Sequence, residues 1–209
     1  MEFEGKSWTL ESGLVGAHNA SNLMAAQAAA LGLGMGPADM QPLAPFTGVP
    51  GRLERVENAH GLDVFVDYAH TPDALVNVQR ALKNAGFKRL VTVFGCGGNR
   101  DRTKRPLMGR AVAQLSDVAV LTSDNPRHED PLAIMADVRP GLAGGPERLT
   151  VLEEPDRYKA LCLAVSLMRP GDALLVAGKG HEAYQQVGDV KHPFSDVEAV
   201  SRALREAAK

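Results

Sequence analysis

The sequence predicts an α/β fold: a Rossmann-like, mainly parallel sheet with helices on both faces, preceded by a short separate piece. Three observations carry that expectation. Short apolar runs at 62–67, 90–94, 118–122 and 173–177 alternate with helical patterns at 73–85, 107–115, 130–140, 155–168 and 196–208. Strands apolar along their whole length are buried on both faces, as parallel sheets require. Charged and polar residues then gather just beyond four of these strands, the edge at which such sheets bind ligands.

Bulk properties narrow the class. The chain has 209 residues, 44% hydrophobic and 23% charged, with a net charge of −2. These are values of a globular protein with no general basic surface, so nucleic acid is not the expected partner. No apolar stretch reaches the roughly 18 residues of a membrane span, and the first twenty residues lack the apolar core of a signal peptide. Cys96 and Cys162 fit a reduced, cytoplasmic setting better than a disulfide.

The elements follow in order. Residues 1–17 are mixed, with short strands expected around Phe3 and Trp8. Gly16-Ala17-His18-Asn19 leads into an alanine-rich helix at 22–31 that ends at Gly32 or Gly34. Pro37, Pro42, Pro45 and Pro50 then place a boundary near 42–50. The expected division is 1–45 and 46–209, the first piece being too short to bury its own core. From Arg52 the pattern is regular. Strand 62–67 ends in Tyr68-Ala69-His70-Thr71-Pro72, and the following helix carries Leu75, Val78 and Leu82 on one face, Thr71 as cap and Gly86 as stop.

Strand 90–94 enters Gly95, Gly97 and Gly98, followed by Arg100, Arg102, Lys104 and Arg105, with Pro106 in the first helical turn and Leu107, Arg110, Ala111, Gln114 and Leu115 at helical spacing. A strand, a glycine turn, cations and a helix start together predict an anion site. Strand 118–122 ends in Ser123-Asp124-Asn125-Pro126-Arg127, and a helix opened by Asp130-Pro131 is expected to stop by Pro140. A short strand at 149–152 and a helix at 155–168, with Tyr158, Leu161, Val165 and Met168 inward, come next. Strand 173–177 ends in Gly178-Lys179-Gly180-His181-Glu182, before a hairpin at 187–191 and the closing helix.

Arginine presents a planar donor fork that matches a carboxylate, so Arg100 and Arg127 are candidates to grip one or two ligand carboxylates. Glu182 and Asp124 supply negative charge for an ammonium group. A zwitterionic amino acid satisfies both signs. Alternatives stand beside this: Glu182 pairs with Lys179 or Arg100, and Asn125-Pro126 is turn chemistry. Asp67 and His70 could touch a nucleotide or phosphate, though a lone histidine is as readily structural. Three other readings fail. Arg100 stands where a dinucleotide fingerprint needs its third glycine, Gly178-Lys179-Gly180 lacks the spacing of a phosphate loop, and the six histidines form no paired-ligand motif. Cys96 lacks a sequence neighbour to activate it as a nucleophile.

Asp67-Tyr68-Ala69-His70-Thr71-Pro72-Asp73, Phe94-Gly95-Cys96-Gly97-Gly98-Asn99-Arg100-Asp101, Asp124-Asn125-Pro126-Arg127 and Gly178-Lys179-Gly180-His181-Glu182 resemble the Mur ligases, in the same order along nearly the whole chain. Gly16 to Asn22 resembles the element that ends the family's central ATPase domain. The resemblance implies that residues 1–45 correspond to the end of that domain and 46–209 to the Rossmann-like domain that binds the incoming amino acid. It implies ATP and Mg2+, both held mainly by a central domain this sequence lacks. It also implies peptidoglycan synthesis, with meso-diaminopimelate joined to the D-glutamyl γ-carboxylate of UDP-MurNAc-L-Ala-D-Glu after that carboxylate is phosphorylated.

Carried over by motif, Arg100, Asp124, Asn125, Pro126, Arg127, Gly178 and Glu182 bind the amino acid. Asn19, Arg52, Asp67 and His70 contact nucleotide, and none of these residues is catalytic. Asp-Asn-Pro-Arg resembles the diaminopimelate form of the motif, and a fixed guanidinium rewards a second carboxylate and repels the ammonium arm of lysine. The alternatives are a Mur ligase for another acceptor, such as L-lysine or a D-Ala-D-Ala dipeptide, and a binding module without catalysis. By itself the sequence is expected to be inactive, and it leaves the oligomeric state open.

Overall fold

A computed structural model describes residues 2–3 and 5–207. The chain divides into two compact units, Met1–Gly48 and Val49–Lys209. The first holds a two-stranded ribbon, β1 (Glu2–Phe3) and β2 (Lys6–Ser7), and helix α1 (Ala17–Gly32), followed by a 3-10 segment, Pro37–Leu43. Within it the Trp8 indole donates to Gln27 Oε1 at 2.8 Å. Strand β1 matches the expectation around Phe3, whereas Trp8 lies just after β2, and the alanine-rich helix begins at Ala17, ahead of the expected 22–31.

The second unit is built on a six-stranded sheet. Its strands are β3 (Glu54–Arg55), β4 (Asp63–Asp67), β5 (Arg89–Phe94), β6 (Val118–Leu121), β7 (Thr150–Glu153) and β8 (Asp172–Ala177), in the spatial order β3-β4-β8-β5-β6-β7. All neighbours are parallel except β3 and β4. The helices between them are α2 (Pro72–Asn84), α3 (Lys104–Leu115), α4 (Pro131–Ala143), α5 (Arg157–Ser166) and α6 (Asp196–Glu206). The hairpin β9 (Tyr184–Val187) and β10 (Val190–Pro193) stands apart from the sheet.

Alternation along the strands assigns the two faces. Val64, Val66, Val91, Val93, Leu174 and Val176 pack with Ala160, Leu161 and Ala164 of α5 and with Val200 and Leu204 of α6. On the opposite face Ser116 Oγ donates to Gln79 Oε1 of α2 at 2.7 Å and accepts from Thr92 Oγ1 at 2.8 Å. Gln79 in turn donates to Ala111 O of α3 at 3.1 Å, so this buried polar chain tethers α2 and α3 beneath the sheet.

Two expectations need correction. Helix α4 does not stop at Pro140 but continues to Ala143. Close packing holds it: a Cβ on Gly141 would lie 1.9 Å from Pro106 O, and one on Gly109 2.6 Å from Val138 O, so α3 and α4 meet backbone to backbone. Helix α3 begins at Lys104, ahead of Pro106, and buries Arg105, Met108, Ala111 and Val112 while Leu107 stays 47% exposed. Tertiary contacts chose a face different from the one the local spacing suggested.

The strand order fixes which loops become neighbours. Strand β8, late in the chain, lies between β4 and β5. In register, Asp67 faces Ala177, Val93 faces Val176 and Phe94 faces Leu121, so the carboxyl ends of β4, β8, β5 and β6 finish along one edge.

Candidate functional site

At that edge lies a hollow of about 320 Å3. Arg100, Asp124, Asn125, Arg127, Gly178, Glu182 and His70 all line it, contributed by the segments after β5, β6, β8 and β4. The two arginines converge over Gly97: a Cβ there would lie 3.0 Å from Arg127 Nη1 and 3.7 Å from Arg100 Cγ. Arg127 has φ +53°, a left-handed conformation uncommon for a side-chain-bearing residue. It is held there from both sides. Its N–H donates to Gln186 O at 3.1 Å, its carbonyl accepts from Gly188 N at 2.7 Å, and Nη1 donates to Gly98 O at 2.7 Å. Strain maintained by surrounding structure at a ligand-sized hollow is a mark of function.

The acidic wall is equally fixed. Asn125 Nδ2 donates to Glu182 Oε2 at 2.9 Å, and Asn125 Oδ1 accepts from Lys179 Nζ at 2.8 Å and Gln186 N at 2.9 Å. Lys179 Nζ lies 3.2 Å from Asp124 Oδ1 and 3.9 Å from Glu182 Oε2. Burial pulls the Lys179 ammonium below its ordinary range, against the opposing pull of Asp124. The sequence alternative that Glu182 pairs with Lys179 therefore has geometric substance, but Asp124 is the nearer acid.

Glycines let the two loops touch. Gly98 N donates to Asn125 O at 2.9 Å, and a Cβ at Gly98 would fall 1.9 Å from Pro126 O. Gly98→Ala is expected to separate the loops and to abolish ligand binding, with a drop in melting temperature readable by circular dichroism. A variant that binds and melts like the parent would contradict the close approach.

The structure sorts the basic run after β5. Arg100, Lys104 and Arg105 all line the hollow, but among the described residues only the first two are free of an acid partner from α4 or the loop before it. Arg105 is buried and forks to Glu129 and Asp137 at 2.8 Å each, and Arg102 pairs with Asp137 at 3.0 Å. So the predicted four-cation anion site reduces to two, because acids on α4 and the loop before it claim the others. Glu129 also accepts from Asn99 N, tying the loop down. The Arg105 hydrogen bonds, then that of Asn99, pull the Glu129 carboxyl down to about 2. A carboxyl depressed on folding contributes stability above its unfolded pKa that is lost as pH falls through its folded value. This latch is therefore expected to hold until about pH 2, as amide exchange at Asn99 would report.

Other assignments fall elsewhere. Pro126 does not line the hollow; its carbonyl faces Gly98 and its ring lines a separate groove with Tyr158 and Phe194. The buried Asp67 carboxylate accepts from Leu53 N at 2.8 Å and Ala69 N at 2.7 Å, bonds that shape the turn. The Arg52 guanidinium stacks 4.9 Å from the Tyr68 ring centroid. His70 Nδ1 meets Tyr68 O at 2.8 Å and so donates to it. Asn19 belongs to the first unit, where its Nδ2 donates to Val15 O at 2.9 Å. Cys96 lines the hollow, but burial, reinforced by Asp124, pushes its thiol up to about 12, which leaves no thiolate for nucleophilic work. Tyr68, Asp101 and Met108 also line the hollow and were not singled out as ligand contacts by sequence; only their nearness to the motifs hints at them.

Similarity to known proteins identifies the family. Residues 51–180 match the model of "Mur ligase, glutamate ligase domain". The chain belongs to the Mur ligase family. It is 62% identical over 204 residues to the UDP-N-acetylmuramoyl-L-alanyl-D-glutamate–2,6-diaminopimelate ligase of Lawsonia intracellularis, covering 98% of this chain and 42% of that protein. The corresponding ligase of Aquifex aeolicus is 45% identical over 202 residues, with 97% and 41% covered. A solved structure of a diaminopimelate ligase of the same name superposes with a TM-score of 0.75 at 40% identity, covering 99% of this chain and 42% of that one. MurC of Thermotoga maritima shares the fold at 22% identity and a TM-score of 0.60. This Mur ligase chain thus spans less than half the length of the curated relatives it matches. None of its described helices is long and apolar enough to cross a membrane.

Proposed function

We propose that the second unit binds meso-diaminopimelate and presents its amine to an activated acyl group, as part of an ATP-dependent amide-forming ligase acting on UDP-MurNAc-L-Ala-D-Glu in peptidoglycan synthesis. The observation that carries the proposal is the convergence of Arg100 and Arg127 on one wall and Asp124 and Glu182 on the other around a single hollow. A diamino dicarboxylic acid offers each wall its complement. Guanidinium forks take the two carboxylates, and the acids take ammonium. The names of the relatives point the same way.

On this reading the domain contributes position rather than covalent chemistry. Fixing the amine against an acyl phosphate turns a bimolecular step into an effectively unimolecular one. The amine nitrogen attacks the phosphorylated γ-carbonyl, phosphate leaves, and an amide forms. Among the described residues no group of three or more His, Cys, Asp and Glu could hold a metal ion, and the sequence contains no phosphate loop. Mg2+ and ATP act, on this proposal, in the part of the relatives that this chain does not span. Residues 1–45 are proposed to correspond to the end of the central ATPase domain, with Asn19, Arg52 and His70 near nucleotide. The setting is proposed to be the cytoplasm.

The test is an NMR titration of the 209-residue protein with meso-diaminopimelate and with L-lysine. Saturable shifts around Arg100, Arg127 and Glu182, stronger for diaminopimelate, are expected. Equal or stronger binding of lysine would assign another acceptor. In a ligation assay with ATP and UDP-MurNAc-L-Ala-D-Glu, this chain by itself is expected to form no product.

A further inference from the structure

Lys179 is fully buried, yet it sits directly behind the acidic wall of the hollow. Its ammonium has three donors and no acceptor. Hydrogen bonds run to Asn125 Oδ1 and to Tyr184 O, each at 2.8 Å. Gln186 N donates to the same Asn125 oxygen at 2.9 Å. Both partners of that oxygen can only donate, so the amide cannot turn over without setting donors against donors. Its Nδ2 is consequently committed to Glu182. Lys179 also alters the charge of the wall. Asp124 and Glu182 bring two negative charges, and Lys179 cancels one. The neighbouring Arg157 and Asp196 form a neutral pair at 2.7 Å, so they do not change the balance. Burying an ammonium is costly unless it is paired, and a backbone N–H already serves Asn125 Oδ1.

We infer that Lys179 is a positioning residue that sets ligand choice: it presents the Asn125–Glu182 pair in one orientation and halves the acidity of the wall. The hollow is thereby tuned to a diamino acid of zero net charge over one of net charge +1. The inference rests on the function proposed above and adds a determinant of specificity outside the ligand-lining residues.

The experiment compares the affinities of meso-diaminopimelate and L-lysine for the 209-residue protein and for Lys179→Met, by NMR titration at low salt. The ratio favouring diaminopimelate is expected to fall roughly tenfold, the scale of one uncancelled charge beside the ligand. An equal loss for both ligands, leaving the ratio unchanged, would overturn the inference, since that is what a merely structural lysine would give. If Lys179→Met does not fold, Lys179→Gln removes the charge and keeps a donor. The same fall is expected there, and an unchanged ratio again overturns the inference. Lys179→Arg keeps the charge and is expected to keep the ratio. A parent protein without preference strikes down the proposed function itself. A parental preference that survives loss of the charge strikes down the role of Lys179 alone.

Discussion

Arg127→Ala is expected to weaken meso-diaminopimelate binding about 10- to 100-fold while changing the affinity for L-lysine much less. The magnitude follows from loss of a charge-assisted hydrogen bond, worth about 1.5–3 kcal/mol. The selectivity follows from geometry. Arg127 is pinned through its backbone to Gln186 and Gly188 and through Nη1 to Gly98 O, so its guanidinium cannot withdraw from a ligand that repels it. Arg100 and Lys104 share the lining of the hollow and add positive charge to it. Calorimetry or NMR titration checks the prediction. An unchanged affinity for diaminopimelate would remove the basis for choosing that acceptor.

The largest effect on stability is expected at Asp196. Arg157 and Asp196 are both buried to zero exposure, with Arg157 Nε and Nη2 each 2.7 Å from a carboxylate oxygen. Burial works against the Arg157 charge, but Asp196 outweighs it and holds the guanidinium above its ordinary range. The same guanidinium donates to Ala177 O at 3.1 Å and Ser123 O at 3.4 Å, so it ties the ends of β8 and β6 to the start of α6. Asp196→Ala would leave a buried cation uncompensated, at a cost of about 3–5 kcal/mol. Denaturant unfolding should show this as a lowered midpoint. The double change Arg157→Met with Asp196→Leu is expected to recover part of the loss, because no charge then remains buried. Recovery would be incomplete, since two carbonyls lose their donor. A single variant as stable as the parent would mean that water reaches the pair.

Much of the fold was legible in the residues. The apolar strands at 62–67, 90–94, 118–122 and 173–177, the Thr71 cap with Ala74 N at 3.3 Å, and the hairpin near Val187 are local matters of periodicity, capping and turn chemistry. The charged residues beyond the strands pointed to one edge, and five of those that gather at the hollow, Arg100, Asp124, Asn125, Arg127 and Glu182, were readable there. What failed were judgements about single cations and prolines. Arg102 and Arg105 carry the same charge as Arg100, but only the packing of α3 on α4 brings Asp137 and Glu129 to claim them. Pro140 is a local stop signal that the Gly109 and Gly141 contact overrides.

The sequence by itself determined the alternation of strand and helix, the positions of the glycine turns and the residue types offered to a ligand. Those properties reside in a few consecutive residues. Only the tertiary structure decided that β8 enters between β4 and β5, which sets Glu182 and Lys179 beside Asn125, some sixty residues away in the chain. Strand neighbours are chosen by non-local pairing and by the packing of helices on both faces, and no local pattern records that choice. Likewise, which arginine stays available to a ligand depends on whether an acid from another element lies within hydrogen-bonding reach.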